Sequence, residues 1–416
     1  IILFDFAIKN SIFYYKNARD VLIFKTSILL KKEDVMKNFI AKKYQNIKDN
    51  AFSTNEDIKY DDVIDFSIGD IDFTTDMEII KGAFEDAKNG YTHYTESTGL
   101  MELRDEICKY QNEEYGLDIT RDEVFVSTSA CHAMYLAMSC IIDEGDEVII
   151  PTPHFSVYDF CIESKGGKIV YLPTYEEEDF AIDVKRLESL ITPKTKALII
   201  NTPNNPTGTC LSLENLQDIA NIAKKHDIMV VADDIYTLLS FQNPFIPIAS
   251  IEGMKDRVIT IRSFSKDFAM TGWRIGYIIA PKEYIRVLKA INDNIIYSPP
   301  SVSQRAALHA LKNRKKVQKF IKEEFESRLN LAYEKISQIP KLKVLPVKGT
   351  FYMFVNIKAT AMSSEEFCKQ ARETCHILMI PGTVFSEYGE GYVRLAMTLS
   401  KDKIAEAFDR LKKWLG

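Results

Sequence analysis

The stretch TIRSFSKDFAMTGWRIGY, residues 260–277, places a lysine and an arginine within a mostly apolar sequence. Such cations are costly to remove from water unless they meet an anion or take part in a reaction. Ser263, Lys266 and Arg274 supply a hydroxyl, an amine and a planar guanidinium, and the hydroxyl and the guanidinium are natural phosphate ligands. A lone lysine is most often a surface side chain. In this company, Lys266 is predicted to be a Schiff-base lysine whose pKa is lowered by burial and nearby positive charge.

A second stretch, VSTSACHAM at residues 126–134, is typical of a strand that runs into a helix. Backbone N–H groups at a helix start point towards an anion, and the helix dipole favours negative charge there. The small residues Ser129 and Ala130 let an anion approach closely. Small residues are also common at ordinary turns, so this stretch indicates a phosphate site only together with Lys266.

The stretch VVADDIYTLL places Asp233 at the end of an apolar strand, where a carboxylate needs a cation or hydrogen-bond donors. A protonated pyridine nitrogen would satisfy it and would gain electron-withdrawing power. Tyr236 could then reach the hydroxyl oxygen of the same ring. The alternative is that Asp233 is a helix N-cap. Asp234 is expected to point elsewhere and to cap a turn.

Two further polar or aromatic residues follow predicted strands. Asn205, in NTPNNPTGTC, offers an amide just after the strand ALIIN, although so many Asn, Pro and Gly residues normally form only a turn. Phe155, in PTPHFSVYDF, could stack on an aromatic ring, although such a residue is more often simply packed. Together these stretches supply the groups that bind a phosphorylated pyridine aldehyde.

The elements that must position these residues are short β-rich runs alternating with helical patterns from residue 120 onward. This alternation predicts an α/β fold with a mainly parallel sheet between helices. Ligands bind beyond the carboxyl ends of the strands in such sheets, and the candidate residues lie at those ends. A long amphipathic helix, residues 314–339, ends before Pro340 and is expected to lead into a smaller α+β domain.

Four motifs occur along the chain in the order YTHYTESTGLMELR, PNNPTG, SFSK and GWRIG. With them the chain resembles a class I/II aminotransferase of pyridoxal-phosphate fold type I, of the aspartate and aromatic amino acid branch. The resemblance runs from about residue 63 to about residue 412. It implies a large domain with a seven-stranded sheet at residues 76–315 and a small domain at residues 316–416. Residues 36–75 would contribute to the small domain.

The resemblance implies a role for each motif residue. Lys266 would form the Schiff base with pyridoxal 5'-phosphate and shuttle a proton. The phosphate ligands would be Ser263, Arg274 and the backbone amides of Ala130 and Cys131. The ring ligands would be Asp233 at the nitrogen, Tyr236 and Asn205 at the hydroxyl, and Phe155 stacked on the ring.

Three more residues enter only through the family pattern. Tyr94 would reach the phosphate site of a neighbouring subunit, which implies a homodimer with shared active sites. Arg394, in GYVRLAMT, would clamp the substrate α-carboxylate, and Gly69 would let a loop close over the substrate. Ser129 stands where relatives often have glycine, and phosphate binding is expected to survive because the N–H donors remain. Asn294 or Ile295 stands where some aspartate-specific relatives have a second arginine, which favours aromatic or other neutral side chains.

Composition sets the remaining expectations. A net charge of -6 gives no general attraction to nucleic acid or to an anionic membrane, so the expected partners are small amino acids and 2-oxo acids. Seven scattered cysteines without a CxxC pair predict neither a disulfide framework nor a metal site, and a cytoplasmic location fits. We expect residues 1–35 to be a non-native or disordered extension before a start at Met36; a genuine packed helix is the alternative.

The expected activity is ping-pong transfer of an amino group from an aromatic or aspartate-like L-amino acid to a 2-oxo acid such as 2-oxoglutarate. The alternative with the same cofactor is a carbon-sulfur β-lyase, which the FSIGDIDFTTD segment favours. Lyases of that type tend to carry histidine at the position of Tyr236 and to lack GWRIG and NNPTG. A pyridoxal-phosphate-binding regulator is disfavoured because the residues before the family region show no helix-turn-helix pattern.

Overall fold

The computed structural model describes Ala41 and residues 60–416, and the elements below lie in the unit Asp57–Gly416. The prediction for residues 1–35, the proposed start at Met36 and most of the segment 36–75 fall outside the described residues. Within the described part, no helix has both the length and the apolar composition needed to cross a bilayer.

The secondary structure of the described part alternates between strands and helices. The strands are β1 (Ile64–Asp65), β2 (Val124–Ser127), β3 (Glu147–Thr152), β4 (Lys168–Pro173), β5 (Thr195–Asn201), β6 (Met229–Asp233), β7 (Val258–Ser263), β8 (Gly276–Ile279), β9 (Tyr352–Asn356), β10 (Ile377–Leu378), β11 (Ile380–Pro381) and β12 (Tyr392–Ala396). The helices are α1 (Met77–Lys88), α2 (Met101–Tyr115), α3 (Ala130–Ile141), α4 (Val157–Glu163), α5 (Val184–Leu190), α6 (Leu213–His226), α7 (Phe264–Asp267), α8 (Lys282–Asn292), α9 (Ser301–Lys312), α10 (Arg314–Ile336), α11 (Ser364–Cys375) and α12 (Lys401–Leu415).

A seven-stranded sheet in the order β2-β8-β7-β6-β5-β3-β4 forms the centre of the large domain. Its strands are parallel except β8, which is antiparallel to both of its neighbours. The predicted mainly parallel sheet of seven strands is therefore confirmed. Because β5, β6 and β7 run in the same direction, their carboxyl ends lie side by side, with Asn201 opposite Asp233 and Asp233 opposite Ile261.

Helices cover both faces of this sheet because alternate strand residues point to opposite sides. On one face, Val231 and Ile261 pack in a core with residues of α3, α4 and α8. On the other face, Ala232 packs with residues of α5 and α6. A neighbouring core joins β2 and β8 to α1, α2 and α9. The sheet is thus buried on both sides, and its strands are almost continuously apolar, as parallel sheets require.

The chain after the large sheet forms smaller sheets. Strands β11, β12 and β9 pair antiparallel, and β1 pairs in parallel with β10, so the early residues Ile64 and Asp65 join residues from the end of the chain. Helices α10, α11 and α12 contribute to the core beneath these strands. The predicted long helix begins at Arg314 and ends at Ile336, before Pro340. The domain boundaries near residues 75 and 315 stay a prediction.

Candidate active site

Lys266 lies in the short helix α7, immediately after strand β7. The Ser263 hydroxyl begins this helix by accepting a hydrogen bond from the Ser265 amide at 3.1 Å. The Lys266 amine is part-buried, donates a hydrogen bond to the backbone oxygen of Gly69, and lies 5.6 Å from the centre of the Phe351 ring. An early segment of the chain therefore contacts the lysine directly.

The environment of Lys266 favours the neutral amine. Burial lowers its pKa, and the positive charges of Arg394 and Arg274 act in the same direction. Tyr352 and Asp70 oppose this shift without reversing it. A neutral amine is the form that can attack a carbonyl carbon, so this environment is compatible with the nucleophile predicted at Lys266.

The predicted anion ligands Ala130 and Cys131 lie at the start of α3. Ser129 precedes the helix, and its hydroxyl accepts a hydrogen bond from the amide of His132 at 3.1 Å. The next amides, those of Ala130 and Cys131, are the first helical ones, which have no carbonyl partner within a helix. Gly276 packs against this turn: a Cβ there would lie 3.1 Å from the Ala130 nitrogen and 2.7 Å from the Arg262 oxygen.

Arg274 lies at the exposed rim of this turn. Its guanidinium donates to the backbone oxygen of Thr271 at 2.8 Å. The pKa of the Cys131 thiol is affected by the charged groups around this turn. Desolvation and the Asp233 carboxylate raise it, whereas Arg274 and Lys266 lower it. The predicted ligands Arg274 and Asp233 and the amine of Lys266 therefore all lie close enough to influence Cys131.

Asp233, the last residue of β6, is 4% exposed. Its Oδ2 accepts a hydrogen bond from the Tyr158 hydroxyl at 2.5 Å, and its Oδ1 has no hydrogen-bond partner among the described residues. Burial raises its pKa to about 6, and the Tyr158 hydrogen bond opposes that shift. One carboxylate oxygen is therefore held from behind by Tyr158, and the other is available to a cation or donor. The N-cap alternative for Asp233 is not what the structure shows.

Asn205 and Tyr236 lie between Asp233 and the small sheets. The Asn205 side-chain oxygen accepts from Arg394 at 3.2 Å, and its backbone amide donates to Asn201 at 2.8 Å. Asn201 in turn donates to the backbone oxygen of Asp233 at 2.7 Å. The Tyr236 hydroxyl donates to that of Tyr352 at 3.3 Å, and both tyrosines are buried.

Phe155 is half-buried near this group, with its ring edge-to-face against Tyr158 at 5.9 Å. It thus packs on the residue that holds Asp233. Its placement is compatible with ring stacking, which stays a prediction.

Arg394 lies in β12 and is 2% exposed. Its guanidinium donates to the backbone oxygen of Ser67 at 2.5 Å and lies 4.3 Å from the Tyr352 ring and 5.0 Å from the Phe385 ring. Burial lowers its pKa. Gly69 lies two residues after Ser67, and a Cβ on it would be 2.0 Å from the Tyr352 hydroxyl, so the position has no room for a side chain.

Tyr94 stands apart from these residues. It is 87% exposed, and its ring lies edge-to-face against Tyr297 at 5.4 Å. Its predicted contact is with a second subunit, so exposure on a single chain is compatible with that prediction.

Sequence reasoning missed Tyr158, Tyr352 and Phe385. Tyr158 carried a weak signal, because it lies in the first turn of a helix that starts at the ligand edge of the sheet. Tyr352 and Phe385 carried none, because their contacts with Arg394 depend on how distant segments pack. Asp234 does point away from Asp233, as expected, but it is buried beneath the sheet.

Residues 61–411 match the profile of the family "Aminotransferase class I and II". The chain is 36% identical over 357 residues to aromatic-amino-acid aminotransferase 2 of Thermococcus litoralis, covering 85% of this chain and 92% of the relative. It is 36% identical over 363 residues to the aspartate aminotransferase of Pyrococcus horikoshii, covering 86% of this chain and 92% of that relative.

A solved structure shows the same fold. The crystal structure of an aromatic aminotransferase from Pyrococcus horikoshii superposes with a TM-score of 0.83 at 35% identity, covering 86% of this chain and 96% of that chain. The relatives named here are aminotransferases, and nothing in them supports the lyase alternative.

The two glycines of the TGWRIG stretch provide a matched pair of substitutions. Gly276→Ala should lower the free energy of unfolding by about 2 kcal/mol, because the new methyl group would press on backbone atoms of two neighbouring segments. Gly272→Ala should change it by less than about 0.5 kcal/mol, because no atom lies within 4 Å of the new methyl group. Urea unfolding of both variants measures the difference. Equal midpoints would contradict the packing described for Gly276.

Proposed function

The chain belongs to the class I and II aminotransferases, and on this premise we propose that it uses pyridoxal 5'-phosphate to move an amino group from an L-amino acid to a 2-oxo acid such as 2-oxoglutarate. The observation that carries the proposal is the placement of Lys266, Asp233 and Arg394. Lys266 is an amine with a lowered pKa, Asp233 is a buried carboxylate with an available oxygen, and Arg394 is a buried guanidinium.

The residues present fit this cofactor. The ring nitrogen needs a buried anion, and the Oδ1 atom of Asp233 is buried without a partner among the described residues. The phosphate needs N–H donors and a cation, which the start of α3 and Arg274 supply. The aldehyde needs a neutral amine, and burial lowers the pKa of Lys266 towards that form. Asn205 and Tyr236 are proposed ligands of the ring hydroxyl, and Phe155 is proposed to cover the ring.

Lys266 is proposed to act twice in each half-reaction. Its amine would hold the cofactor's aldehyde and, when free, would accept the proton of the donor's α carbon and hold it for return to the substrate–cofactor pair. The lowered pKa suits both tasks, because it increases the share of neutral amine, the form that can accept a proton. A ping-pong order would follow, because the holoenzyme would keep the amino group after the first 2-oxo acid leaves and before the acceptor binds.

When bound, the cofactor supplies an electron sink for the charge that forms at the donor's α carbon. Asp233 keeps the ring nitrogen protonated by pairing a carboxylate with it. Tyr158 keeps that carboxylate in place and favours its charged form. Ser263, whose hydroxyl begins the helix that carries Lys266, is a proposed phosphate ligand.

Arg394 is proposed to clamp the substrate α-carboxylate. The guanidinium has no freedom to swing out, because Asn205 and the Ser67 oxygen accept its hydrogen bonds. The rings of Tyr352 and Phe385 border it, so a side chain beside the clamp meets aromatic surface. An aromatic donor fits this surface, and an aspartate-like donor is the other class named among the relatives.

We propose a homodimer that shares its active sites. Tyr94 is the proposed contribution to the partner's phosphate site. Its ring is 87% exposed on the single chain, and the nearby Ile295, Ile296 and Tyr297 are exposed as well. Such a patch is more apolar than a solvated surface needs to be. The cytoplasmic location stays a prediction.

The test is the visible absorption spectrum of the purified protein with pyridoxal 5'-phosphate. Tyrosine, phenylalanine, aspartate, alanine, lysine and cystathionine are added singly. We expect an aromatic amino acid or aspartate to bleach the band of the bound cofactor, and 2-oxoglutarate to restore it. Lys266→Ala should lack this response, whereas Lys319→Ala, a control at a lysine whose side chain is 75% exposed, should keep it.

Two outcomes would contradict the proposal. Absence of a protein-bound band would remove the role assigned to Lys266. A band that the amino donors leave unchanged, with pyruvate released from cystathionine, would indicate the lyase reaction instead.

The role of Tyr158 gives a second prediction. Tyr158→Phe removes the hydrogen bond that favours the charged form of Asp233, so the pKa of Asp233 should rise further. Loss of a hydrogen bond to a charged group should weaken cofactor binding by roughly tenfold and lower kcat. Cofactor titration followed by absorbance measures the first effect. Tyr284→Phe, whose hydroxyl contacts the Met229 sulfur, is the control, and an equal effect in both variants would exclude the role of Tyr158.

A further inference from the structure

Three charged side chains lie on the hidden face of the sheet, directly behind the predicted cofactor residues. They are Asp234, Arg262 and Asp267, each 1% exposed. Each is the chain neighbour of a residue on the cofactor side: the pairs are Asp233 with Asp234, Arg262 with Ser263, and Lys266 with Asp267. A shift of any of these three residues would therefore move the backbone of an adjacent predicted cofactor ligand.

Strand alternation explains this arrangement. Asp233 lies opposite Ile261 in the pairing of β6 with β7, so both point to the same face. The following residues, Asp234 and Arg262, point to the other face. The Asp234 amide continues the pairing by donating to the Ile261 oxygen at 2.9 Å, which keeps the carboxylate close to the next strand.

Arg262 is the centre of the cluster. Its guanidinium donates to the Thr237 hydroxyl at 2.7 Å and lies 3.7 Å from the Asp267 carboxylate. The Thr237 hydroxyl in turn donates to Asp267 at 3.2 Å. The side-chain charge of Arg262 also acts on Asp234. One cation thus faces two carboxylates.

Residues of helix α2 and strand β8 pack against the cluster. The Tyr115 ring lies 4.8 Å from the guanidinium and its hydroxyl accepts a hydrogen bond from Arg262 at 3.3 Å. The Tyr110 ring lies 5.9 Å from the same group. The other titratable or charged groups that face the cluster are Tyr277, which accepts from Gln111 at 2.8 Å, and Asp233 across the sheet.

Within the described part of the chain, several polar atoms of the three charged side chains lack hydrogen-bond partners, and there are two carboxyl groups for one guanidinium. The Oδ2 atom of Asp234, the Oδ1 atom of Asp267 and the Nη1 atom of Arg262 have no hydrogen-bond partner among the described residues. A second buried carboxylate without a cation is costly, and such a group takes up a proton instead. Burial accordingly raises the pKa of Asp234 to about 7 and that of Asp267 to about 6, against the opposing charge of Arg262.

We propose that Asp234 and Asp267 share a single negative charge opposite Arg262, and that the three form a positioning network for the backbone of the residues that bind the cofactor. The second half of this proposal rests on the proposed function. The network contacts neither cofactor nor substrate. It acts by fixing the end of β6, the end of β7 and the turn of α7.

If the charge is shared, either carboxylate alone can neutralise Arg262. When either becomes an amide, the other can ionise and keep Arg262 neutralised. When both become amides, Arg262 is left as an uncompensated buried cation. The single variants are therefore expected to be mild and the double variant severe, which is the reverse of additive behaviour.

The experiment compares Asp234→Asn, Asp267→Asn and the double variant with Asp256→Asn, the same change at an exposed aspartate. Each single variant should change the equilibrium constant for unfolding by less than about tenfold, and the double variant by about 100-fold or more. The dissociation constant of pyridoxal 5'-phosphate should rise less than about threefold in each single variant and about tenfold in the double variant. Asp256→Asn should change neither quantity.

Additive effects of the two single variants on unfolding would overturn the shared charge. An unchanged dissociation constant in a folded double variant would overturn the positioning role, because loss of stability alone does not alter binding by the folded fraction. If transamination is not observed at all, the unfolding measurement still decides the first half of the proposal.

A further variant covers the case in which the double variant does not fold. Adding Arg262→Met to it removes the uncompensated cation, so the triple variant should fold and be more stable than the double. In Arg262→Met alone, both carboxyls keep raised pKa values in the folded state. Their ionisation opposes folding, so the free energy of unfolding should fall as the pH rises from 5 to 8. Stability that instead increases over this range would contradict the proposal.

Discussion

The cost of burying the Asp233 carboxylate is the constraint on which the rest of the site depends. This group lies, 4% exposed, at the end of a strand between two other strands, and among the described residues Tyr158 is its one direct side-chain donor. Asn201 holds the backbone of the same residue from the neighbouring strand. A carboxylate kept in this way is a strong partner for a buried positive charge. The sheet order that puts β6 between β5 and β7 is what makes this possible.

The same strand ends carry different chemistry on their two faces. One face presents Asp233 and Ser263 to the site, and the other buries Asp234 and Arg262 in the core. Because successive residues of a strand point in opposite directions, a site residue and its structural anchor can be adjacent in sequence and yet never touch. The cluster beneath the sheet is therefore part of the same construction as the site above it, although it lies outside the space that a ligand can enter.

The sequence predicted the parts of this arrangement that depend on local pattern. The strands of the large sheet, the long helix from Arg314 and the location of Lys266 after a strand all follow from apolar runs and motif residues. It did not predict Tyr158, Tyr352 or Phe385 as neighbours of the charged residues, because those contacts join segments far apart in the chain. It assigned Asp234 to a turn cap, since a single polar residue after a strand gives no sign of the arginine buried opposite it.

One contact of Arg394 can form only late in the synthesis of the chain. The guanidinium is held by the backbone of Ser67, a residue 327 positions earlier. Lys266 and the large sheet precede Arg394 in the chain, so the residue proposed to attach the cofactor is synthesised before the residue proposed to bind the substrate carboxylate. The hydrogen bond between Arg394 and Ser67 can therefore form only after the whole large sheet has been made, although Ser67 itself precedes every strand of that sheet.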